Sequence, residues 1–346
     1  MLDLARGAFV DGASLLNYSS SDQAFSFLNT PSCGLRNVGN TCYLNSVLFA
    51  MAGLTPVYSW AEQHLKAHAG NLAANRPCTL CSLALDLRSL NTCSVNVPFV
   101  PSVVQTRSFW ARGLAGFHQQ DAQESLLLLL EQCDAIDTTK LQIISDALRD
   151  PAFPNSVLRF TTPCWRLFGA LTLVKVTCRV CGQLSMKYEM VRTLSVHIPK
   201  PPHETSVNAA VTAHLGREEL TDPQDCCENE ACGALGRRVK NTELLTWPRV
   251  LIIHFKRLGL WNVLAQCAEK DDRHVEFEAR LEPSDDIRYQ LGAVVVHSGN
   301  QVGGHYTTYT RHIDDSWYYC DDSAPPRPAT IDEVFACNAY MLWYER

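Results

Sequence analysis

The sequence contains no run of about 18 uninterrupted apolar residues, which a membrane-spanning helix would need. Its first 30 residues mix Asp, Arg, Ser and Asn with apolar residues and hold no apolar core of a secretory signal peptide. An excess of positive charge is also missing, since 30 basic and 36 acidic residues give a formal net charge of −6. These absences argue against a membrane span, a secreted protein and a nucleic-acid-binding surface as the main function.

The composition is that of a globular protein that is rich in cysteine. Hydrophobic residues make up 46% and charged residues 19%, a balance that argues against wholesale disorder. The length of 346 residues allows about two average domains or one large composite domain. Fifteen cysteines without a secretory signal indicate reduced thiols, metal ligands or a nucleophile before disulfides. We therefore expect an intracellular protein, in the cytoplasm, the nucleus or both.

Helical patterns come first along the chain and strand patterns follow. From Cys33 to about Ser145 the periodicity is helical, and apolar residues at positions 44, 47, 48 and 51 mark one buried face. Asp121 followed by Glu124 resembles a capping box, and the five leucines at 126–130 predict a helix that is buried nearly all round. The predicted strands are 170–176, 188–198, 250–255, 292–297, 306–310, 317–320 and 340–344. This order favours an α+β fold with an antiparallel sheet.

The segment 34–45 predicts a reactive cysteine. Gly39 permits a tight turn, Asn40 or Thr41 can cap a helix, and the helical pattern begins directly afterwards. Cys42 is therefore expected at a helix N-terminus, where the dipole and free N–H groups favour the thiolate and lower the thiol pKa. On that feature alone, buried packing is the more common role of such a cysteine.

A histidine and two acids near the C-terminus could complete a catalytic group. His305 follows Gly303 and Gly304, whose missing side chains let an extended peptide approach closely. Asp321 and Asp322 follow a predicted strand, and one of them could accept the imidazole N–H and fix its tautomer. Each feature alone is more typical of a loop histidine and a turn-forming Asp pair than of a catalytic group.

Six blocks of the sequence together resemble the catalytic domain of the ubiquitin-specific proteases. They are 34–45, 119–124, 251–257, 297–306, 317–323 and 339–344, in the order that this family has. The resemblance covers residues 33–346 and leaves 1–32 as a flexible leader. It implies a papain-like right-hand fold, with a helical thumb at about 33–165 and a β-rich palm and β fingers at about 166–346.

The resemblance assigns roles to the residues of these blocks. Cys42 would be the nucleophile and His305 the general base, and catalysis would need no cofactor. Asp321 would orient the imidazole, with Asp322 able to take its place. Asn37 would donate its side-chain amide to the oxyanion. Since adjacent residues of a strand point to opposite faces, we expect only one of the two acids to reach His305 unless the backbone twists out of strand geometry.

The same resemblance implies a channel for the C-terminal tail of ubiquitin, which carries arginines. Gln119, Asp121 and Glu124 would line it, because amide and acidic groups suit that tail. Gly303 and Gly304 would let the tail pass closely. For the residues around position 121, a helix cap and its neighbours are an equally good explanation.

Two pairs of cysteines predict a structural zinc site in the fingers. Cys178 and Cys181 form a CxxC knuckle, and a tetrahedral site needs a second pair. The resemblance selects Cys227 and Cys232 as that pair, with Cys226 as a substitute for Cys227. Loss of the zinc site is the alternative.

A further CxxC, formed by Cys78 and Cys81, has no second cysteine pair close in sequence. We therefore interpret these two residues as buried thiols that pack at the start of a helix.

Taken together, the resemblance implies a thiol-dependent deubiquitinase that hydrolyses isopeptide or peptide bonds after the C-terminal glycine of ubiquitin. We expect a monomer whose partners are ubiquitin and ubiquitinated proteins, with no nucleic-acid or membrane partner. One alternative is a catalytically weak ubiquitin-binding scaffold, against which the complete set of catalytic residues argues. Another is a protease for a different ubiquitin-like modifier.

Overall fold

The computed structural model describes residues 32–68, 78–93, 96–137, 141–142, 160–201, 203–262, 267–284, 286–300 and 303–346. The predicted leader, 1–32, lies outside the described residues except for Ser32. Among the residues that are described, no helix combines the length and the apolar character needed to cross a membrane.

Most helices lie in the first half of the chain. They are α1 (Cys42–Ala52), α2 (Thr55–His68), α3 (Thr79–Thr92), α4 (Ser102–Gln105), α5 (Arg107–Trp110), a 3-10 helix (Arg112–Leu114), α6 (Ala122–Ile136), α7 (Pro163–Phe168), α8 (Val207–Leu215) and α9 (Ile331–Ala336). The predicted cap is confirmed at α6, where a side-chain oxygen of Asp121 accepts the N–H groups of Gln123 at 2.7 Å and Glu124 at 3.1 Å.

The strands dominate the second half. They are β1 (Leu141–Gln142), β2 (Phe160–Thr161), β3 (Ala170–Cys178), β4 (Leu184–Val191), β5 (Leu194–Val196), β6 (Arg217–Leu220), β7 (Arg238–Leu244), β8 (Val250–Phe255), β9 (Leu258–Asn262), β10 (Cys267–Lys270), β11 (Arg280–Ser284), β12 (Ile287–Gly299), β13 (Gly304–Arg311), β14 (Trp317–Cys320), β15 (Arg327–Ala329) and β16 (Ala339–Glu345). The predicted bounds of β8 and β14 are confirmed.

Two sheets carry the fold. The larger has the order β15-β14-β13-β12-β16-β8-β5, with β11 also paired to β12, and β5 is parallel to β8 while the other pairs are antiparallel. The smaller is an antiparallel sheet of order β4-β3-β7-β6. The α+β prediction is confirmed, since helices precede a mainly antiparallel sheet.

The centre of the larger sheet is buried on both faces because its strands are apolar at successive positions. Ile252 and Trp343 pack into the core formed by α1, α2, α3 and α6. Their strand neighbours Ile253 and Leu342 point to the other face and pack with α8. All eleven residues of α1 are buried, and the Thr308 hydroxyl of β13 donates a 2.9 Å hydrogen bond to the Ser46 carbonyl. This contact fixes α1 against the strand that carries His305.

The prediction of one strand over 188–198 is wrong. The segment divides into β4, in the smaller sheet, and β5, in the larger one. Arg192 lies between them, forms an ion pair with Asp134 of α6, and lies 4.1 Å from the ring centroid of Trp165. These contacts with two helices turn the chain from one sheet to the other.

Two further expectations are corrected. Leu127 and Leu128 of α6 are only half-buried, so the helix is not covered all round and one side faces an open groove. The helical region also ends earlier than Ser145, since 141–142 forms a strand and 143–145 lies outside the described residues.

Candidate active site

Cys42 is the first residue of α1 and lies at the contact between that helix and β13. The residue is 4% exposed, and the backbone N–H of Tyr306 in β13 is near enough to lower the pKa of the thiol. The sulfur atom is thereby placed beside the residue that follows His305. The fold brings together these two motifs, which are far apart in the sequence.

The expected lowering of the Cys42 pKa is wrong. Burial raises the pKa of the Cys42 thiol, and the negative charge of Asp322 raises it further. The N–H groups of Tyr306 and of the first turn of α1 oppose this shift and do not overcome it. The thiol of the free protein is therefore mostly protonated at neutral pH, and a base must take its proton before the sulfur can attack.

His305 and Asp321 form the acid–base pair of the site. His305 Nε2 lies 2.7 Å from Asp321 Oδ1, and the two side chains are 41% and 38% exposed. The pairing of β13 with β14 sets this distance, because Asp321 directly follows the end of β14. The bond occupies Nε2 and leaves Nδ1 as the ring nitrogen that can accept a proton.

Asp322 contacts different groups. Its Oδ2 accepts a 2.8 Å hydrogen bond from Asn37 Nδ2, and its Oδ1 accepts one of 2.8 Å from Asn45 Nδ2. Both acids lie beyond Cys320, the last residue of β14, and Asp322 has a φ of 42°. Asp321 is the acid that hydrogen-bonds His305, as expected, but strand alternation is not the cause, because both acids lie beyond the strand and each has its own partner.

Asn37 is exposed and held at both ends of its amide. Its Oδ1 accepts the backbone N–H of Thr41 at 2.9 Å, while Nδ2 donates to Asp322. An amide nitrogen has two N–H groups, so one remains for an oxyanion near Cys42. Asp322 therefore positions the predicted oxyanion donor.

The sequence analysis missed Asn45, which is 1% exposed. Its Nδ2 donates to Asp322 and also to the carbonyls of Leu35 and Arg36, at 3.3 and 3.4 Å. It lies three residues after Cys42 on α1, and this spacing on a helix puts both side chains on one face. That spacing is the sequence signal by which Asn45 could have been predicted as a residue of the site.

The predicted substrate-binding residues occupy the rim of the same site. The Gln119 amide brackets the backbone of Gly304, donating to its carbonyl at 2.8 Å and accepting its N–H at 2.7 Å. Asp121 caps α6 and accepts the hydroxyl of Tyr340. Glu124 is exposed on the first turn of that helix. Gln119 and Asp121 thus have structural partners, and their contact with a substrate tail stays a prediction.

The absence of a side chain at Gly304 has a steric cause. A Cβ at this position would lie 2.1 Å from Nε2 of His297, which is 5% exposed. Burial lowers the pKa of His297 to about 4, so the ring is neutral and fixed against Tyr306 at a centroid distance of 4.6 Å. A Cβ at Gly303 would meet nothing within 4 Å.

We expect Gly304→Ala to lower turnover at least tenfold, because His297 must move and β13 carries His305 with it. Gly113→Ala is the matched control, because a Cβ at this exposed position of the 3-10 helix would meet no atom of the described residues within 4 Å, and it should stay within about twofold of the unchanged protein. The measurement is kcat/KM on a ubiquitin-tail reporter. Equal effects of the two substitutions would contradict this role of Gly304.

Four cysteines meet at one end of the smaller sheet. Cys178 Sγ lies 3.9 Å from Cys232 Sγ, Cys181 Sγ lies 3.7 Å from Cys227 Sγ, and all four sulfur atoms are within 4.8 Å of one another. A tetrahedral zinc with Zn–S bonds of about 2.3 Å requires S–S separations of about 3.8 Å. The cluster can therefore hold a metal ion. Cys226 is turned away, with its sulfur 3.5 Å from the Cys227 carbonyl.

Known proteins with related sequences carry one family name. The chain matches the profile of the ubiquitin carboxyl-terminal hydrolase family over residues 33–344. Ubiquitin carboxyl-terminal hydrolase 36 of Drosophila pseudoobscura pseudoobscura is 27% identical over 327 residues, covering 90% of this chain and 29% of that protein. Ubiquitin carboxyl-terminal hydrolase 2 of Rattus norvegicus is 27% identical over 343 residues, covering 90% and 53%. The chain spans about half or less of the length of these relatives.

Solved structures confirm the predicted right-hand fold. The SAGA Ubp8/Sgf11/Sus1/Sgf73 DUB module bound to ubiquitin aldehyde superimposes with a TM-score of 0.71 at 19% identity, covering 92% of this chain and 70% of that chain. A yeast SAGA DUBm structure with an Sgf73 variant gives 0.70 at 19% identity, covering 92% and 69%. Since the family profile covers nearly the whole chain, the protein belongs to the ubiquitin carboxyl-terminal hydrolase family, as its motifs predicted.

Proposed function

We propose that this protein is a thiol-dependent deubiquitinase that hydrolyses isopeptide or peptide bonds after the C-terminal glycine of ubiquitin. The observation that carries this proposal is the convergence of three groups at one site. The thiol of Cys42 lies against the backbone of β13, His305 is paired with Asp321, and Asn37 is held by Asp322. Membership of the family supports ubiquitin as the substrate.

Each residue of the site has a defined chemical step. His305 takes the thiol proton, and the sulfur of Cys42 attacks the glycine carbonyl carbon. Asn37 donates an N–H to the oxyanion that forms, and an oxyanion donor of this kind lowers a barrier by roughly 3–4 kcal/mol. The C–N bond then breaks as His305 returns the proton to the leaving amine. Water, deprotonated by His305, hydrolyses the thioester and frees Cys42.

The open groove beside α6 supports a place for the body of ubiquitin. Its walls include Gln123 and Leu127 of α6, Trp165 of α7, and Val174 and Glu189 of the smaller sheet. Apolar side chains alternate with charged ones, as in a non-obligate protein interface. We place the ubiquitin body in this groove and its tail at the rim formed by Gln119 and Gly304. The protein acts as a monomer on ubiquitinated proteins.

The free state of the thiols supports an intracellular site of action. Buried cysteines of the core, among them Cys42, Cys133, Cys164 and Cys320, are not joined in disulfides. Reduced thiols in this number fit the cytoplasm or nucleus better than an oxidising compartment.

The proposal is tested with ubiquitin that carries a C-terminal electrophile, next to equivalent probes made from other ubiquitin-like modifiers. We expect a covalent adduct with the ubiquitin probe and release of a reporter from the ubiquitin tail. An adduct with a different modifier alone would assign the protein to that modifier. Binding of ubiquitin with neither adduct nor turnover would indicate a scaffold.

We further propose that Cys178, Cys181, Cys227 and Cys232 hold a structural zinc ion. The metal supplies folding energy by joining the turn between β3 and β4 to the connection between β6 and β7, and it has no part in catalysis. The backbone N–H of Val180 supports the ligand set by donating to Cys178 Sγ at 3.4 Å.

We expect Cys227→Ser to lower the zinc content by about one ion per chain and to lower the Tm, since metal binding contributes to folding. Cys226→Ser is the control and should retain the metal, because its sulfur lies outside the cluster. Elemental analysis and thermal unfolding measure both effects. Loss of zinc in Cys226→Ser but not in Cys227→Ser would show that the wrong cysteine of this pair was chosen.

A further inference from the structure

A second group of metal-ligating side chains lies among the helices and has no role in the proposed reaction. His64 and His68 belong to the end of α2, and Cys78 and Cys81 belong to the start of α3. Their ligand atoms all lie within 4.8 Å of one another. We propose that these four residues bind a second structural zinc ion.

The distances fit a tetrahedral site. His64 Nε2 lies 3.4 Å from Cys78 Sγ, and His68 Nδ1 lies 3.8 Å from Cys81 Sγ. With Zn–S bonds of about 2.3 Å and Zn–N bonds of about 2.0–2.1 Å, a tetrahedron requires N–S separations of about 3.5 Å. Both imidazoles turn a ring nitrogen toward a sulfur atom. Packing of two thiols at a helix start, the role predicted from the sequence, would require neither contact.

The local sequence explains how the ligands converge. His64 and His68 are four residues apart on α2, which puts them on one face, and their rings lie 4.2 Å apart. Cys78 is the N-cap of α3, and its Sγ accepts the backbone N–H of Cys81 at 3.4 Å. The second pair of ligands consists of histidines, so a pattern of two cysteine pairs does not reveal this site. Two thiolates and two imidazoles in a tetrahedron select zinc over magnesium or calcium.

The position of the cluster defines what the metal would do. It joins the last turn of α2 to the first turn of α3, and both helices pack in the core that contains α1. Trp60 of α2 and Leu87 of α3 are among the buried residues of that core. The zinc therefore stabilises the helices that support Cys42, at a distance from the reacting atoms.

The test combines zinc content with X-ray absorption at the zinc edge, on protein purified without chelators. The unchanged chain should hold about two zinc ions with an average of three sulfur and one nitrogen ligands per ion. Cys78→Ser combined with His68→Asn should hold about one ion with four sulfur ligands. Serine is a favoured N-cap, so this variant keeps the cap of α3. Gln63→Ala, an exposed neighbour on α2, is the control and should keep both ions.

The outcomes separate this site from the one in the fingers. A single ion with two sulfur and two nitrogen ligands would support the site in the helices and overturn the fingers zinc. A single ion with four sulfur ligands in the unchanged chain would overturn the site in the helices. Unchanged zinc content in Cys78→Ser/His68→Asn would also overturn the site in the helices. The X-ray absorption spectrum of the unchanged chain alone shows whether the site in the helices holds zinc, so the proposal remains testable if the variant does not fold.

Discussion

Replacing Cys42 with alanine is expected to abolish hydrolysis of ubiquitin conjugates while ubiquitin still binds. The change removes the sulfur atom that attacks the glycine carbonyl in the first step, and removal of a nucleophile costs roughly 10⁶-fold in kcat in a comparable protease. The groove beside α6 and the rim at Gly304 keep their side chains, so the affinity for ubiquitin should change by less than about threefold. Turnover of a tail reporter and equilibrium binding of ubiquitin measure the two effects separately.

The same assignment predicts where a C-terminal ubiquitin electrophile reacts. Mass spectrometry should place the label on Cys42 alone, although many cysteines are available. Cys337→Ala, which changes a half-buried thiol outside the site, is the control and should label and turn over normally. Labelling at Cys33, the buried cysteine nine positions earlier, would overturn the choice of nucleophile, as would residual activity in Cys42→Ala.

The bounds of β8 could be predicted because this strand is buried on both faces. β8 is buried at every position from Val250 to Phe255 and is apolar at all of them except His254, so the pattern and the element coincide. The segment 188–198 has the same β-rich composition but crosses between two sheets. The contact of Arg192 with Asp134 and Trp165 makes that turn, and the contact joins residues far apart in the sequence.

The catalytic residues could be predicted because short motifs carry them, but their interactions could not. The bond from Asn37 to Asp322 joins positions 285 residues apart and depends on a left-handed backbone at Asp322. The direction of the Cys42 pKa depends on burial, which a helix-start pattern does not contain. The two histidines proposed as metal ligands on α2 could have been found from their spacing in the sequence. They were not predicted as ligands because a cysteine pair was expected as the partner of Cys78 and Cys81.

Asp321 and Asp322 are expected to be essential for different reasons. Asp321→Ala removes the acceptor of the His305 N–H, and loss of acid–base catalysis costs roughly 10²–10⁴-fold in turnover. Asp322→Ala releases Asn37, and loss of an oxyanion donor costs roughly 10²–10³-fold. Turnover of the tail reporter is the measurement for both. Two mild single variants with an inactive double variant would mean that the acids replace each other. An active Asp321→Ala beside an inactive Asp322→Ala would show that Asp322, and not Asp321, orients the imidazole.

Asp321 and Asp322 are also expected to differ in their contribution to the free energy of unfolding. Asn45 is 1% exposed, and removing its acceptor Asp322 leaves a buried N–H group with poorer partners. An unsatisfied buried donor costs about 1–3 kcal/mol, so Asp322→Ala should lower the free energy of unfolding. Asp321 is 38% exposed, and its removal should change stability little. Denaturant unfolding of the two variants checks this difference.

A double-mutant cycle tests how Asp322 acts. If its carboxylate contributes by holding Asn37, then Asn37→Ala should lower turnover about as much as Asp322→Ala. The combined variant should be no worse than the poorer single variant, because the second substitution removes a contact that is already lost. Combining Asn37→Ala with Asp321→Ala should instead lower turnover further, since those residues act on the oxyanion and on the imidazole. Additive losses for Asn37 and Asp322 would mean that Asp322 contributes to catalysis by a route independent of Asn37.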